Sequence, residues 1–336
     1  MRRRELLSSA AAAGLLAACA PGTSSAGLPE VADGKLETTT LRTARLSSLC
    51  LAPQYLAEES LRAEGFTDLR YVETTSGENR KLMADRQIDL TMDFSAKVVK
   101  NVDQGDHVVV LGGVHVGCFE IFGAESVKNI RDLKGRTVAV PELGVDSSHY
   151  AFMASVLAHV GLDARTDVTF VQRTFPQVME QLPQGKVDAF IGFPPQPQEL
   201  RAKGIGRVLL DSMSDRPWSG YYCCMLTAHT DFVAKNPVAT LRAMRAILRA
   251  TDTCAKEPER AARFLIDRKY AANYDYAVAA MRNLPYGVWR DVEPEDTLRF
   301  YALRLGEAGS VKGTPDKIIA GATDWRFLRA LKKELS

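Results

Sequence analysis

The residues able to do chemistry in this sequence cluster where short apolar runs end. Five such segments stand out: Leu46-Ser47-Ser48-Leu49-Cys50, Thr74-Thr75-Ser76-Gly77, Asp93-Phe94-Ser95, Gly144-Val145-Asp146-Ser147-Ser148-His149 and Gly192-Phe193-Pro194-Pro195-Gln196. Their side chains suit non-covalent capture better than bond making. Ser47, Ser48 and Gln54 offer neutral hydrogen bonds, as do Thr75, Ser76 and Asp93, although each is also an ordinary turn residue. Asp146-Ser147-Ser148 opens a helical run whose N-terminal N–H groups would receive a polar ligand. Asp146 or Ser147 serves equally well there as a plain N-cap, leaving Ser148 to face the ligand. Phe94 and Phe193 directly follow strand ends and are the leading stacking residues, with Tyr221, Tyr222, Tyr286 and Trp289 behind them. His149 reads either as a ligand donor or as a helix-packing side chain. Lys97 and Arg80, the nearest basic residues, are expected to be solvated on helices, which favours a neutral or mildly anionic organic ligand, heteroaromatic chemistry included.

Catalytic signatures are absent. There is no Ser/His/Asp order and no phosphate-cradling GxxxxGK[ST] loop, so neither an enzyme nor a cofactor is expected. Nor is there a CxxC or Cys/His spacing suited to zinc, or a Cys/His cluster able to hold iron, so no metal is expected either. Cys118 and Cys223 or Cys224 fall on two extended runs, 116–122 and 220–227, that read as neighbouring crossover strands. A disulfide across that hinge and a set of buried free thiols are both open readings. The formal net charge of +2 includes three N-terminal arginines, and neither nucleic acid nor an anionic surface is implied as a partner.

The elements that must position these residues come in two styles. From 38 to about 211, short β-branched or apolar runs alternate with segments of helical period, the pattern of parallel α/β units. Strands are expected at 39–46, 69–73, 88–92, 107–114, 137–140, 168–171, 189–191 and 207–210, with helices starting near Pro53, Gly77, Ser95, Ser147, Phe175 and Gln196. Beyond 227 only amphipathic helices are expected, at 237–254, 258–268, 274–283, 294–307 and 324–333, three of them opened by proline. The result is two α/β lobes with a helical tail that returns to the first.

The N-terminus reads as an address. Met1-Arg2-Arg3-Arg4 precedes a short Ala/Leu run that ends in Leu16-Ala17-Ala18-Cys19, similar to the lipobox of bacterial lipoproteins, with Cys19 as the lipidated residue. Residues 1–19 are then a signal peptide, exported by the Sec or the twin-arginine route, and 20–35 a flexible tether. The expected location is the periplasm or cell surface, membrane-anchored by lipid.

Further along, Asp132-Leu133-Lys134-Gly135-Arg136-Thr137-Val138-Ala139-Val140, Gly161-Leu162-Asp163, Gly185-Lys186-Val187-Asp188-Ala189 and His229-Thr230-Asp231-Phe232-Val233-Ala234-Lys235-Asn236-Pro237 occur in that order. This series resembles the nitrate/sulfonate/taurine-type substrate-binding proteins of ABC transporters, a group that includes binders of thiamine pyrimidine precursors. The resemblance spans nearly all of 36–336. It implies an α/β, two-lobed type II periplasmic-binding-protein fold, with lobe I from 36–118 plus 225–336 and lobe II from 119–224. It implies a monomer that passes a small-molecule ligand to ABC permease and ATPase subunits. Two alternatives share the resemblance: a ligand sensor for a membrane receptor, and an enzyme like the thiamine-pyrimidine synthases, whose cysteine-rich loops the Cys223-Cys224 pair resembles.

Overall fold

A computed structural model describes residues 33–336. The expected signal peptide, Cys19 and most of the 20–35 tether therefore lie outside the described residues. Among the described residues no helix is long and apolar enough to cross a membrane.

The alternating pattern folds as α/β units. Strand β1 (Thr40–Arg45) pairs in parallel with β2 (Asp68–Glu73), and the intervening chain forms α1 (Ala52–Leu56) and α2 (Glu58–Ala63). Helix α3 (Asn79–Ala84) leads into β3 (Leu90–Phe94), and α4 (Ser95–Asp103) into β4 (Val108–Val116). A second group follows: β5 (Glu120–Gly123), β6 (Arg136–Val140), α5 (Ser148–His159), β7 (Val168–Gln172), α6 (Phe175–Gln181), β8 (Ala189–Gly192), α7 (Gln196–Lys203) and β9 (Arg207–Asp211). Its five strands make one sheet in the order β7-β6-β8-β5-β9. Strand β10 (Tyr222–His229) then returns to the first group and lies between β3 and β4, antiparallel to both. The two small sheets β1-β2 and β3-β10-β4 on one side and the five-stranded sheet on the other, joined by two crossings, give the two-lobed architecture.

Side chains complete the first lobe's sheet where the ladder breaks. The Asp89 N–H donates to the Arg42 carbonyl at 2.8 Å, and Asp89 Oδ2 accepts from the Arg42 N–H at 2.8 Å. Gln54 bridges the same gap: its Nε2 donates to Ala44 O at 2.7 Å and its Oε1 accepts from the Met92 N–H at 2.6 Å. Buried amide groups need such partners, and Gln54 meets the need for both strands at once.

The tail is helical, as expected, with α8 (Thr230–Lys235), α9 (Pro237–Lys256), α10 (Pro258–Asp267), α11 (Tyr274–Asn283), α12 (Pro294–Glu307), α13 (Pro315–Ala322) and α14 (Arg326–Glu334). Proline at the first turn starts α9, α10, α12 and α13, where its missing N–H costs nothing. Helix α13 was not foreseen: one turn of apolar residues around Ile318 and Ile319 is too short for a periodic signal. The tail packs on the first lobe and reaches the second as well. Helix α12 packs against α4 on one side and α5 on the other, and stacks Phe300 on Tyr221 with ring centroids 4.0 Å apart.

One buried charge marks the second lobe. Glu120 on β5 is fully buried beside Arg201, whose Nη2 lies 2.5 Å from its Oε2. Burial outweighs the pull of Arg201, and with Asp211 nearby the carboxyl is pushed up to about 8. The folded protein therefore holds a proton that the unfolded chain has lost, so stability falls as pH rises from near 4.5 through about 8. Denaturant titrations across that window are expected to show Glu120→Gln flattening the fall by about 2 kcal/mol or more; parallel curves for the two proteins would refute the assignment.

Candidate functional site

Between the two groups of strands lies a cavity whose lining includes Leu46, Ser48, Cys50, Leu51, Ser76, Met92, Asp93, Phe94, Cys118, Phe119, Ser148, Phe193, Cys223 and Cys224. Its walls come from the carboxyl ends of strands in both lobes and its floor from the two crossings, the place where open α/β sheets bind ligands.

Each wall residue has a local reason for its position. Ser147 is the N-cap of α5, its hydroxyl accepting the Tyr150 N–H at 3.1 Å, and that cap turns Ser148 into the cavity. Ser148 meets Ser76 across the cleft: Ser76 Oγ donates to Ser148 Oγ at 2.7 Å and accepts the Ser148 N–H at 2.9 Å. Phe94 ends β3, edge-on to Phe119 (4.9 Å) and Tyr301 (5.5 Å). Phe193 follows β8 and stacks on His149 at 4.9 Å. His149 is buried with neither ring nitrogen hydrogen-bonded, and burial pushes its imidazole down to about 3. It is a neutral packing surface for Phe193.

The lobes are closed over this cavity. Glu142 accepts from Thr75 Oγ1 at 3.0 Å and from the Gly77 N–H at 3.1 Å. Lys100 Nζ donates to Asp146 at 2.6 Å and to Val145 O at 2.7 Å, and the Leu49 N–H donates to Pro194 O at 3.2 Å. Burial works against the Asp146 charge, yet Lys100 and Arg80 hold its carboxyl below the usual range.

Of the residues proposed from sequence, Ser48, Ser76, Asp93, Phe94, Ser148 and Phe193 come together on the cavity, while Thr75 stands at its rim and Ser147 caps the helix behind it. Ser47 is exposed and does not line the cavity. Two assignments are corrected. Gln54 is spent inside the first lobe on Ala44, Thr91 and Met92. Tyr222 is fully buried away from the cavity, its hydroxyl donating toward Trp289 O at 2.9 Å and Val292 O at 2.8 Å, its ring filling the space where a Gly113 side chain would be. Lys97 was expected in solvent, but its side chain is only 1% exposed, with Nζ 3.0 Å from Asp93 Oδ2 and 2.6 Å from Ser76 O. Arg80 is partly buried against Asp106.

The floor was missed as a ligand surface. Cys50, Cys118, Cys223 and Cys224 all reach it, and the five described cysteines are buried free thiols, Cys118 Sγ lying 2.8 Å from Cys223 Sγ. The fold also gathers a Cys/His group that the sequence spacing, read as suiting neither zinc nor iron, does not announce. Cys50, His115 and Cys224 place a sulfur, a ring nitrogen and a sulfur within 4.8 Å of one another. Hydrogen bonding with Cys118 draws the Cys224 thiol below its ordinary value, while burial raises Cys118 well above it. Sequence spacing concealed the cluster because its members sit on three distant segments.

A family model described as NMT1/THI5 like matches residues 55–261, more than half of the chain. No curated protein matches. Among solved structures, the periplasmic nitrate-binding protein NrtA of Synechocystis PCC 6803 superposes with a TM-score of 0.74 at 15% identity, covering 90% of each chain. A Bordetella bronchiseptica RB50 protein gives 0.72 at 20% identity, covering 90% of this chain and 99% of that one. The alkanesulfonate-binding protein SsuA of Xanthomonas axonopodis pv. citri, bound to MOPS, gives 0.63 at 18% identity, covering 85% and 98%. At these identities the likeness establishes the fold, the two-lobed α/β architecture of periplasmic binding proteins.

The cross-lobe contacts make a local prediction. Glu142→Ala is expected to speed exchange of the Gly77 amide tenfold or more, the scale of one hydrogen bond to a charged group. Hydrogen exchange read by NMR checks this, and a Gly77 amide equally fast in the unsubstituted protein would show that the closed rim is not held in solution.

Proposed function

Because the chain belongs to the NMT1/THI5-like family, we propose that it is the extracytoplasmic solute-binding component of an ABC importer. It captures a small organic molecule between its lobes, delivers it to a membrane permease and catalyses no reaction. The observation that carries this reading is the closure itself: Ser76 and Ser148, from opposite sides of the cleft, share two hydrogen bonds over one cavity. A ligand touching both lobes stabilises the closed state, and only a differential affinity of this kind shifts the equilibrium.

The ligand is a neutral or mildly anionic organic molecule, heteroaromatic rings included. Phe94, Phe119 and Phe193 supply the wall and Ser48 and Ser148 the polar contacts, while Lys97, which touches the lining residues Ser76 and Asp93, is already paired with Asp93. The lining holds no basic side chain, which disfavours nitrate or an alkanesulfonate relative to a neutral ring. The division into lobe I, 36–118 plus 225–336, and lobe II, 119–224, follows the two crossings. Anchoring through Cys19, export, and action as a monomer with permease and ATPase subunits belong to the same proposal.

Native mass spectrometry and thermal shift on the purified protein, challenged with pooled pyrimidines, flavins, aromatic acids, sulfonates and nitrate, test the reading. A neutral heteroaromatic compound is expected to bind and raise the melting temperature, with Phe94→Ala and Ser148→Ala each weakening it about tenfold or more. Turnover of a pooled compound would sink the non-catalytic reading. Binding of nitrate or sulfonate alone would overturn the ligand class while leaving capture intact.

A further inference from the structure

The cleft floor carries more chemistry than capture of an organic molecule requires. Cys50 sits in the short 3-10 turn Leu49–Leu51, Cys224 on β10 and His115 on β4, and the three donor atoms converge within 4.8 Å of one another. All three residues are buried. The acceptor nitrogen of the imidazole has no hydrogen bond: His115 Nδ1 lies 3.3 Å from Val116 O and from Gly117 O, which leaves the ring's one in-plane lone pair on the buried Nε2, where no hydrogen bond is made. An Nδ1–H held by backbone carbonyls fixes the tautomer that leaves Nε2 free, the arrangement metal-binding histidines use. A buried, unpartnered ring nitrogen is costly unless something occupies it.

Surrounding groups fix the donors. Tyr286 OH donates toward Leu49 O at 3.3 Å and Cys50 O at 3.2 Å, and its ring stands edge-on to His115 at 5.3 Å. Ser95 Oγ donates toward Tyr222 O at 2.8 Å and Cys223 O at 3.0 Å, holding the start of β10 in place. Cys50 and Cys224 also line the cavity, so an ion has a route in from the cleft. Cys118 lies against the same thiols and adds a third sulfur, a fourth donor atom beside the trio.

We propose that Cys50, His115 and Cys224 form a binding site for a thiophilic metal ion of the zinc(II) or copper(I) class at the floor of the cleft. Two thiolates and one imidazole make a soft donor set that suits these ions and not magnesium or calcium. Binding releases the two thiol protons to solvent and forms two metal–sulfur bonds and one metal–nitrogen bond, with no change of oxidation state. A disulfide between Cys118 and Cys223 would leave this trio intact. The site goes beyond the capture reading, and its test contains no organic ligand, so each can fail without the other.

The experiment titrates the full chain, reduced and under anaerobic conditions, with cobalt(II) as the spectroscopic substitute for zinc(II), and separately with copper(I) against a chromogenic chelator. One equivalent of cobalt(II) is expected to give thiolate-to-metal charge-transfer bands, displaced by zinc(II), or one equivalent of copper(I) to resist the chelator. The double variant Cys50→Ser/Cys224→Ser is expected to lose at least a hundredfold in affinity, and Cys254→Ser, a buried thiol outside the cluster, to keep it. Circular dichroism and a melting curve verify the fold of each variant. If the double variant does not fold, the charge-transfer bands of the unsubstituted protein decide. Absence of those bands together with failure to hold copper(I), or undiminished binding by a folded double variant, overturns the site.

Discussion

Everything at the cleft depends on how two extended segments pass one another between the lobes. Gly117 has φ +49°, and a β-carbon there would lie 2.3 Å from Ser212 O, so this crossing admits no side chain. Ser212 then ties the segments together: its Oγ accepts the Cys118 N–H at 3.0 Å and donates to Phe119 O at 2.7 Å, while its N–H donates to the same carbonyl at 3.0 Å. That knot turns Cys118 and Phe119 toward the cavity. It also fixes the point at which the two crossings are joined, the pivot between the lobes.

The helical tail makes the pivot asymmetric. Tyr222, at the start of β10, donates its N–H to Thr297 Oγ1 at 3.0 Å and its hydroxyl to the carbonyls of Trp289 and Val292. Tyr286 supports the turn that carries Cys50, and α12 lies against helices of both lobes. The chain's last hundred or so residues are thus a brace behind the cleft: they buttress the floor and leave the rim free. Large buried aromatics such as Trp289, Tyr286 and Tyr301 supply the apolar area that holds this brace in place.

The sequence made the elements legible wherever a local signal existed. β-branched runs located the strands, and proline at the first turn located α9, α10 and α12, because these signals come from neighbours in the chain. Ser48, Phe94, Ser148 and Phe193 reached the cavity because the loops at these strand ends converge there, although Ser47, just past β1, does not. Gln54 and Tyr222 were misplaced for one shared reason: each completes a gap left by a distant strand, and nothing nearby in the chain announces the gap. Lys97 seemed solvated because the sequence does not reveal that Asp93, one turn earlier, sits beside a closed lobe interface. The cysteine and histidine cluster is the extreme case, assembled from three segments that meet only after both crossings have formed.

Closure itself is a balance of small terms. The rim contacts, Ser76 with Ser148, Glu142 with Gly77, and Lys100 with Asp146, each exchange hydrogen bonds with water for hydrogen bonds with protein, and such exchanges contribute about 1 kcal/mol apiece. The aromatic wall and the neutralised Lys97–Asp93 pair gain nothing from facing an empty cavity, so their contribution waits for an occupant that displaces water from Phe94, Phe119 and Phe193. In the proposed capture, a rim worth a few kcal/mol would keep open and closed states close in energy, and the apolar wall would let the ligand decide between them. A charged wall would have attracted its ligand more strongly but would have been costly to close when empty. The chemistry of the wall and the modest strength of the rim are therefore two parts of the reversible capture proposed for this chain.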